Sequence, residues 1–168
     1  MPPLRHATAP TGPGPLAAPP ELVHRGRLRK VLLVDDDTVT NMMHRRVITR
    51  TGLVDTIDVA TDGIAALDYL CDPANRGPAQ PELILLDINM PRMNGFEFLD
   101  AYADLPVPEQ TQQIIIMLST SLLQSDQDRA EADKNVHRFA NKPIREADVA
   151  SFVSEYLMVR DGTAPTEG

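Results

Sequence analysis

Three short apolar runs along the chain each stop at an acidic or hydroxyl residue. Residues 31–34 (Val-Leu-Leu-Val) meet Asp35, Asp36 and Asp37, residues 83–86 (Leu-Ile-Leu-Leu) meet Asp87, and residues 114–118 (Ile-Ile-Ile-Met-Leu) meet Ser119. Runs of this length, rich in branched side chains and lacking polar alternation, are expected of strands buried on both faces of a parallel sheet. Ligands bind beyond the carboxyl ends of such strands, where these acids stand.

Between the runs the pattern turns helical. A first strand is predicted over residues 30–35, followed by a helix that Asp37 or Thr38 can cap, with Met43, Val47 and Ile48 on one face and an end near Gly52. Residues 55–60 read as a second, shorter strand, and Asp62-Gly63 opens a helix with Ile64, Leu67, Leu70 and Cys71 at helical spacing. Turn formers fill residues 72–81, so the third strand is preceded by a surface loop. Asn94-Gly95 starts another helix, Pro106 and Pro108 mark a loop, and the fourth strand is predicted over 113–119. An exposed helix over 125–134, a fifth strand over 136–140 and an amphipathic helix with Val149, Phe152, Val153, Tyr156 and Leu157 on one face complete the series. Strands and helices in strict alternation predict an α/β fold: a doubly wound, five-stranded parallel sheet with helices on both faces.

Composition bounds the rest. A chain of 168 residues suits one domain with a full core. Seven of the fifteen prolines lie in the first twenty residues, so residues 1–28 are expected to be a disordered arm and residues 161–168 a flexible tail. After the arm the five strand-helix units use the whole length, and no separate output domain is expected. The formal charge of −8 divides into +4 over the first thirty residues and −12 over the remainder. An acidic body argues against nucleic acid as a partner. With no long apolar stretch and no secretion-type leader, a cytoplasmic protein without membrane contact is expected. The single cysteine, Cys71, cannot form an internal disulfide and is expected to be a small apolar filler.

If the first and third strands are neighbours, Asp35, Asp36 and Asp87 converge at one sheet edge. Clustered carboxylates raise one another's pKa unless a cation neutralises them, and oxygen donors without His or Cys favour Mg²⁺ over Zn²⁺. Lys142, after the fifth strand, is the natural basic counterpart, and Ser119 offers a hydroxyl at the end of the fourth. Each has a plain structural account as well: acids end strands, and a lysine at a strand end commonly faces water. Together they supply a carboxylate nucleophile, a metal, a cationic clamp and a hydroxyl donor, which phosphoryl transfer to an aspartate requires.

Val-Asp35-Asp36-Asp37, Leu-Leu-Asp87-Ile-Asn-Met-Pro-Arg-Met-Asn-Gly95, Leu-Ser119-Thr-Ser and Phe139-Ala-Asn-Lys142-Pro143 occur in this order, and the chain thereby resembles the receiver domains of response regulators over about residues 29–158, with the domain expected to span 29–160. The resemblance implies the flavodoxin-like strand order 2-1-3-4-5. It implies that Asp87 is the phosphoacceptor for a phosphohistidine on a histidine kinase or histidine phosphotransfer protein, and that the output is a downstream protein target. By the same resemblance Mg²⁺ is held by Asp36, Asp87 and the backbone carbonyl of Asn89, with Asp35 acting through water. Lys142 would pair with phosphoryl oxygens, Ser119 and Phe139 would be the switch pair, and Asn89 and Ser121 would tune phosphoryl lifetime. Pro91 and Gly95 would shape the loop after the acceptor, and Asp37 would cap a helix. Serine replaces the commoner threonine at position 119, and Thr120 adds bulk at a position that is usually small, which is expected to slow phosphotransfer. His6, His24, His44 and His137 are scattered without the setting of a relay histidine, His44 being expected on a polar helix face and His137 in a strand, so the donor comes from another chain.

Two other accounts compete. Residues 32–39 partly fit the first motif of haloacid-dehalogenase phosphatases, with Asp35 as nucleophile and Asp37 as acid/base, but Asp87 then has no function and the later acidic pair is missing. A receiver-shaped binding module that works without phosphorylation is the third, and the presence of every residue the chemistry needs weighs against it. No enzymatic activity is expected beyond the protein's own phosphotransfer and dephosphorylation.

Overall fold

The computed structural model describes residues 26–106, 113–120 and 123–162. Within them run β1 (Leu28–Val34), α1 (Thr38–Thr51), β2 (Val54–Ala60), α2 (Gly63–Cys71), β3 (Leu83–Asp87), α3 (Gly95–Ala103), β4 (Ile114–Ser119), α4 (Gln124–Ala132), β5 (Val136–Asn141) and α5 (Glu146–Asp161). All five strands are parallel, in the order β2-β1-β3-β4-β5, as expected from the sequence.

The alternation of side chains along each strand divides the core in two. Val31, Leu33, Leu83, Leu85, Ile114, Ile116 and Leu118 face one layer, which Ile48 of α1 and Val149, Phe152, Val153 and Tyr156 of α5 complete. Leu32, Val34, Ile84, Leu86, Ile115 and Met117 face the other, against Ala66 of α2, Phe96, Phe98 and Leu99 of α3, and Ala130 of α4. Each fully buried aliphatic side chain contributes about 1.5–3 kcal/mol, against about 1 kcal/mol for a helix cap. Burial on both faces therefore dominates the energetics, and the caps set where elements begin. Asp37, Asp62 and Asn94 each accept a backbone N–H from the first turn of the following helix. Gly52 ends α1 with φ 65°, a left-handed turn that suits glycine.

Some boundaries and faces depart from the sequence expectation. β1 starts at Leu28, which is fully buried and paired with Val54, so ordered structure reaches two residues ahead of 30 and includes the end of the expected arm. α5 runs through Asp161, the first residue of the expected tail, and Gly162 caps it; the remainder of the arm up to residue 25 and of the tail from 163 lie outside the described residues. The inward arc of α1 is Asn41, His44 and Ile48, with Met43 exposed, because the helix is rotated about one residue from the arc that the apolar positions suggested. His44, expected on a polar face, is buried. On α2 the inward positions are Gly63 and Ala66; Ile64 and Cys71 are exposed, so Cys71 fills no core space.

At the amino-terminal edge of the sheet Glu82 is buried. Its Oε2 accepts from the Tyr156 hydroxyl of α5 at 2.6 Å, and its Oε1 accepts from the Arg29 N–H at 2.5 Å. The carboxylate thus ties the start of β3 to α5 and β1.

Candidate functional site

Strand order reverses between β1 and β3, and there the parallel register places the acids. Val34 pairs with Leu86, so Asp35 and Asp87 come one step later, side by side. Ser119 closes β4 opposite Asn141, which puts Lys142 one step beyond. One carboxylate oxygen from each of Asp35, Asp36 and Asp87 lies within 4.8 Å of the others. Asp35 and Asp87 are buried while Asp36 is exposed, which leaves the cluster open to solvent on one side.

Lys142 lies among them. Its Nζ contacts Asp35 Oδ2 and stands 2.9 Å from Asp87 Oδ1, with all three side chains about nine-tenths buried. Burial pushes the Asp87 pKa upward and the Asp35 charge adds to it, against the pull of Lys142. Burial opposes the charge on Lys142 too, yet its bonds to Asp35 and Asp87 hold its pKa above the ordinary lysine value. A single ammonium thus serves two carboxylates, and the exposed Asp36 adds a third negative group.

The surrounding backbone fixes these side chains. Asp35 Oδ1 accepts from the Asp37 N–H at 2.9 Å, and its carbonyl accepts from Asn41 Nδ2 at 2.8 Å. The Lys142 N–H donates to the Ser119 carbonyl at 2.9 Å, which joins the ends of β4 and β5. The Gly95 N–H donates to the Ile88 carbonyl at 2.8 Å, and a Cβ at position 95 would collide with the Asp87 carbonyl oxygen. Glycine there lets the backbone close against the strand end, a more specific role than the loop-shaping expected for it.

The other expected residues take these places. Ser119 is buried at the end of β4, Thr120 follows it exposed, and Asn89 is exposed two residues after Asp87. Phe139 is half-buried on β5, packed against the layer that α3 and α4 cover. Pro91 is exposed in the loop after β3 and His137 lies in β5. Asp37 caps α1: the Thr40 hydroxyl and the Val39 N–H both donate to its carboxylate and hold its pKa below the ordinary value. Those bonds occupy the group that a phosphatase would need as acid/base. Ser121 and Pro108 lie outside the described residues.

Two features were missed from sequence. Asn41 and His44 form the polar end of the buried arc of α1, detectable only from their spacing with Ile48. Arg92 adopts φ 64° and its Nε donates to the buried Asp62 carboxylate at 2.7 Å, while the Met93 carbonyl accepts from the Gly63 N–H at 3.2 Å. These bonds fasten the loop after Asp87 to the start of α2, and no periodicity announces them.

The donor set suits a hard divalent cation. One oxygen from each of three carboxylates, all within 4.8 Å of one another, is the hard-donor chemistry that Mg²⁺ favours. Among the described residues no helix is long and apolar enough to cross a membrane.

Known proteins resemble this chain in sequence and in fold. The family model described as "Response regulator receiver domain" matches residues 31–154. A probable methanogenesis regulatory protein of Methanothrix harundinacea is 30% identical over 125 residues, covering 74% of this chain and 79% of its own. A protein-glutamate methylesterase/protein-glutamine glutaminase of Anaeromyxobacter dehalogenans is 39% identical over 80 residues; these are 47% of this chain and only 21% of that longer protein. The crystal structure of a two-component response regulator from Cytophaga hutchinsonii superposes with a TM-score of 0.71 at 31% identity, over 79% of this chain and 98% of the other.

Proposed function

Because the chain belongs to the response regulator receiver domain family, with the fold of CheY-like proteins of two-component signalling, we propose that it is switched by phosphorylation of Asp87. The observation that carries this reading is the lysine shared by two buried carboxylates beside an exposed third. The donor would be a phosphohistidine on a histidine kinase or histidine phosphotransfer protein, in the cytoplasm. An Asp87 carboxylate oxygen attacks phosphorus, the P–O bond forms as the P–N bond breaks, and the histidine nitrogen leaves with the electron pair and takes up a proton. Lys142 meets the charge of the phosphoryl oxygens, and the Ser119 hydroxyl donates to one of them. Asp36, Asp87 and the Asn89 carbonyl would hold Mg²⁺, with Asp35 acting through water. Bound there, the ion neutralises charge on the phosphoryl oxygens.

The signal would leave through the β4 and β5 ends. A dianion on Asp87 draws Ser119 and Lys142 inward, Phe139 turns into the space released, and the face of α4, β5 and α5 shifts between two populated arrangements that a protein target distinguishes. Asn89 and Ser121 would set the lifetime of the phosphoryl group, and the bulk of Thr120 would slow its arrival. Nucleic acid and membrane have no part in this scheme, nor does catalysis of any reaction but the protein's own phosphorylation and dephosphorylation. The experiment that tests it is intact and peptide mass spectrometry after acetyl phosphate and Mg²⁺: one phosphoryl group is expected, on Asp87. Modification of Asp35 instead would restore the phosphatase account, and no modification would favour the phosphorylation-independent module.

Val39, Met42 and Met43 on α1 are 60%, 61% and 48% exposed. This apolar patch at the start of the helix after Asp36 is a landing place for the protein donor. Met42→Asp is expected to lower kcat/KM for phosphotransfer from a phosphorylated donor protein about tenfold, a loss of about 1.4 kcal/mol in encounter. Phosphorylation by acetyl phosphate is expected to be unchanged in the same variant. Equal slowing with both donors would place the fault in the chemistry.

A further inference from the structure

We infer that His44 is a positioning residue for Lys142: its Nε2 accepts the Ile144 N–H at 3.4 Å and so tethers the segment that carries the ammonium to α1. The inference rests on the phosphoacceptor reading above for its consequence in rate, and on geometry alone for the tether. His44 is 2% exposed, on the arc that an apolar side chain would fill more favourably. Burying an imidazole there costs desolvation unless its nitrogens find partners. The partner found is the amide two residues past Lys142, and Ile144 is itself buried in the α1 and α5 layer.

The same arc of the helix holds the other half of the site. One turn earlier, Asn41 donates to the Asp35 carbonyl at 2.8 Å. α1 therefore acts as a template, with Asn41 fixing the aspartate turn and His44 fixing the lysine segment. The Lys142 N–H to Ser119 carbonyl bond anchors that segment from the other side. Without the His44 anchor the ammonium is expected to be held less closely against Asp35 and Asp87. Only an unprotonated Nε2 can accept this bond, and burial, reinforced by the charge of Lys142 and partly offset by Asp35, keeps the His44 pKa below its ordinary value.

The test has two parts on the full chain. In the ¹⁵N-labelled parent at pH 7, His44 is expected to carry its proton on Nδ1, with Nε2 unprotonated and scalar-coupled to the Ile144 amide nitrogen. His44→Leu, apolar and of similar bulk, is expected to lower the Mg²⁺-dependent phosphorylation rate at saturating acetyl phosphate about tenfold, within the range that small misplacements produce, with little change in the half-saturating concentration. His44→Gln, which restores an acceptor, is expected to recover most of the rate. A protonated Nε2 in the parent, a His44→Leu protein as fast as the parent, or a His44→Gln protein as slow as His44→Leu would each overturn the inference. If His44→Leu does not fold, the tautomer and the coupling decide it alone. A parent that acetyl phosphate never labels would defeat the phosphoacceptor reading, and the nitrogen spectrum would still decide the tether.

Discussion

The Asp87→Asn protein is expected to take up no phosphoryl group from either a phosphohistidine donor or acetyl phosphate, and to unfold at a higher temperature than the parent in Mg²⁺-free buffer at pH 7. The first result follows from removal of the nucleophile. The second follows from the direction of its pKa. Burial raises the folded-state pKa of Asp87 above the unfolded value, so the native state binds the proton more tightly and stability falls as pH rises through the carboxylate range. At neutral pH the ionised group is a burden that asparagine lacks, and Lys142 keeps Asp35 as partner in the variant. Below the ordinary carboxylate pKa, where Asp87 is protonated in both states, the advantage is expected to vanish. Thermal unfolding across pH 3 to 8 measures it; equal melting temperatures at pH 7, or a stabilised variant at pH 3, would contradict the assignment. Residual labelling would move the acceptor elsewhere.

Lys142→Ala has the opposite sign. Removing one partner from a buried ionic cluster costs about 3–5 kcal/mol, and here it leaves two buried carboxylates without a counter-charge. At pH 7 the variant is expected to be less stable by about 3 kcal/mol, since protonation of one carboxylate relieves part of the repulsion. Lowering the pH toward 4 should narrow the gap as that proton is gained more easily. Millimolar Mg²⁺ should narrow it too, by supplying the missing positive charge. The parent has its own alkaline limb: the folded-state pKa of Lys142 is raised, so its contribution is complete below the ordinary lysine pKa and is lost as pH climbs through the folded value. Denaturant midpoints with and without Mg²⁺ test both points. A variant that Mg²⁺ leaves unchanged would mean that the acids do not hold the ion.

Much of this molecule could be read from the chain because the strands are buried on both faces. Leu83–Asp87 has no polar alternation to confuse its assignment, and the acid at its end is where an α/β crevice opens. The convergence of Asp35, Asp36, Asp87 and Lys142 needed one further fact, the adjacency of β1 and β3, which the family resemblance supplied. What stayed hidden were contacts between residues far apart in sequence whose partners carry no pattern. Asp62 and Arg92 are thirty residues apart, and His44 meets a backbone amide one hundred residues later. α1 misled for a related reason: Met43 is apolar and exposed, while the polar Asn41 and His44 face inward, so hydropathy pointed to an arc displaced from the true one. The edges of strands were blurred where a buried residue such as Leu28 sits among the charges of Arg27 and Arg29.

The bond between Tyr156 and Glu82 ties the later part of α5 to the start of β3. Glu146 begins this helix just after the Lys142 segment, whereas Tyr156 lies ten residues on, about 15 Å along the axis. If phosphorylation displaces the first turn as proposed above, the helix would swing about this fastening and not slide. A displacement of 1 Å at the near end becomes a tilt of about 4° over that length, with the travel greatest beside the end of β5 and vanishing at the tyrosine. A partner seated near Glu146 would therefore feel the full stroke, and one seated near Tyr156 would rest on the fulcrum.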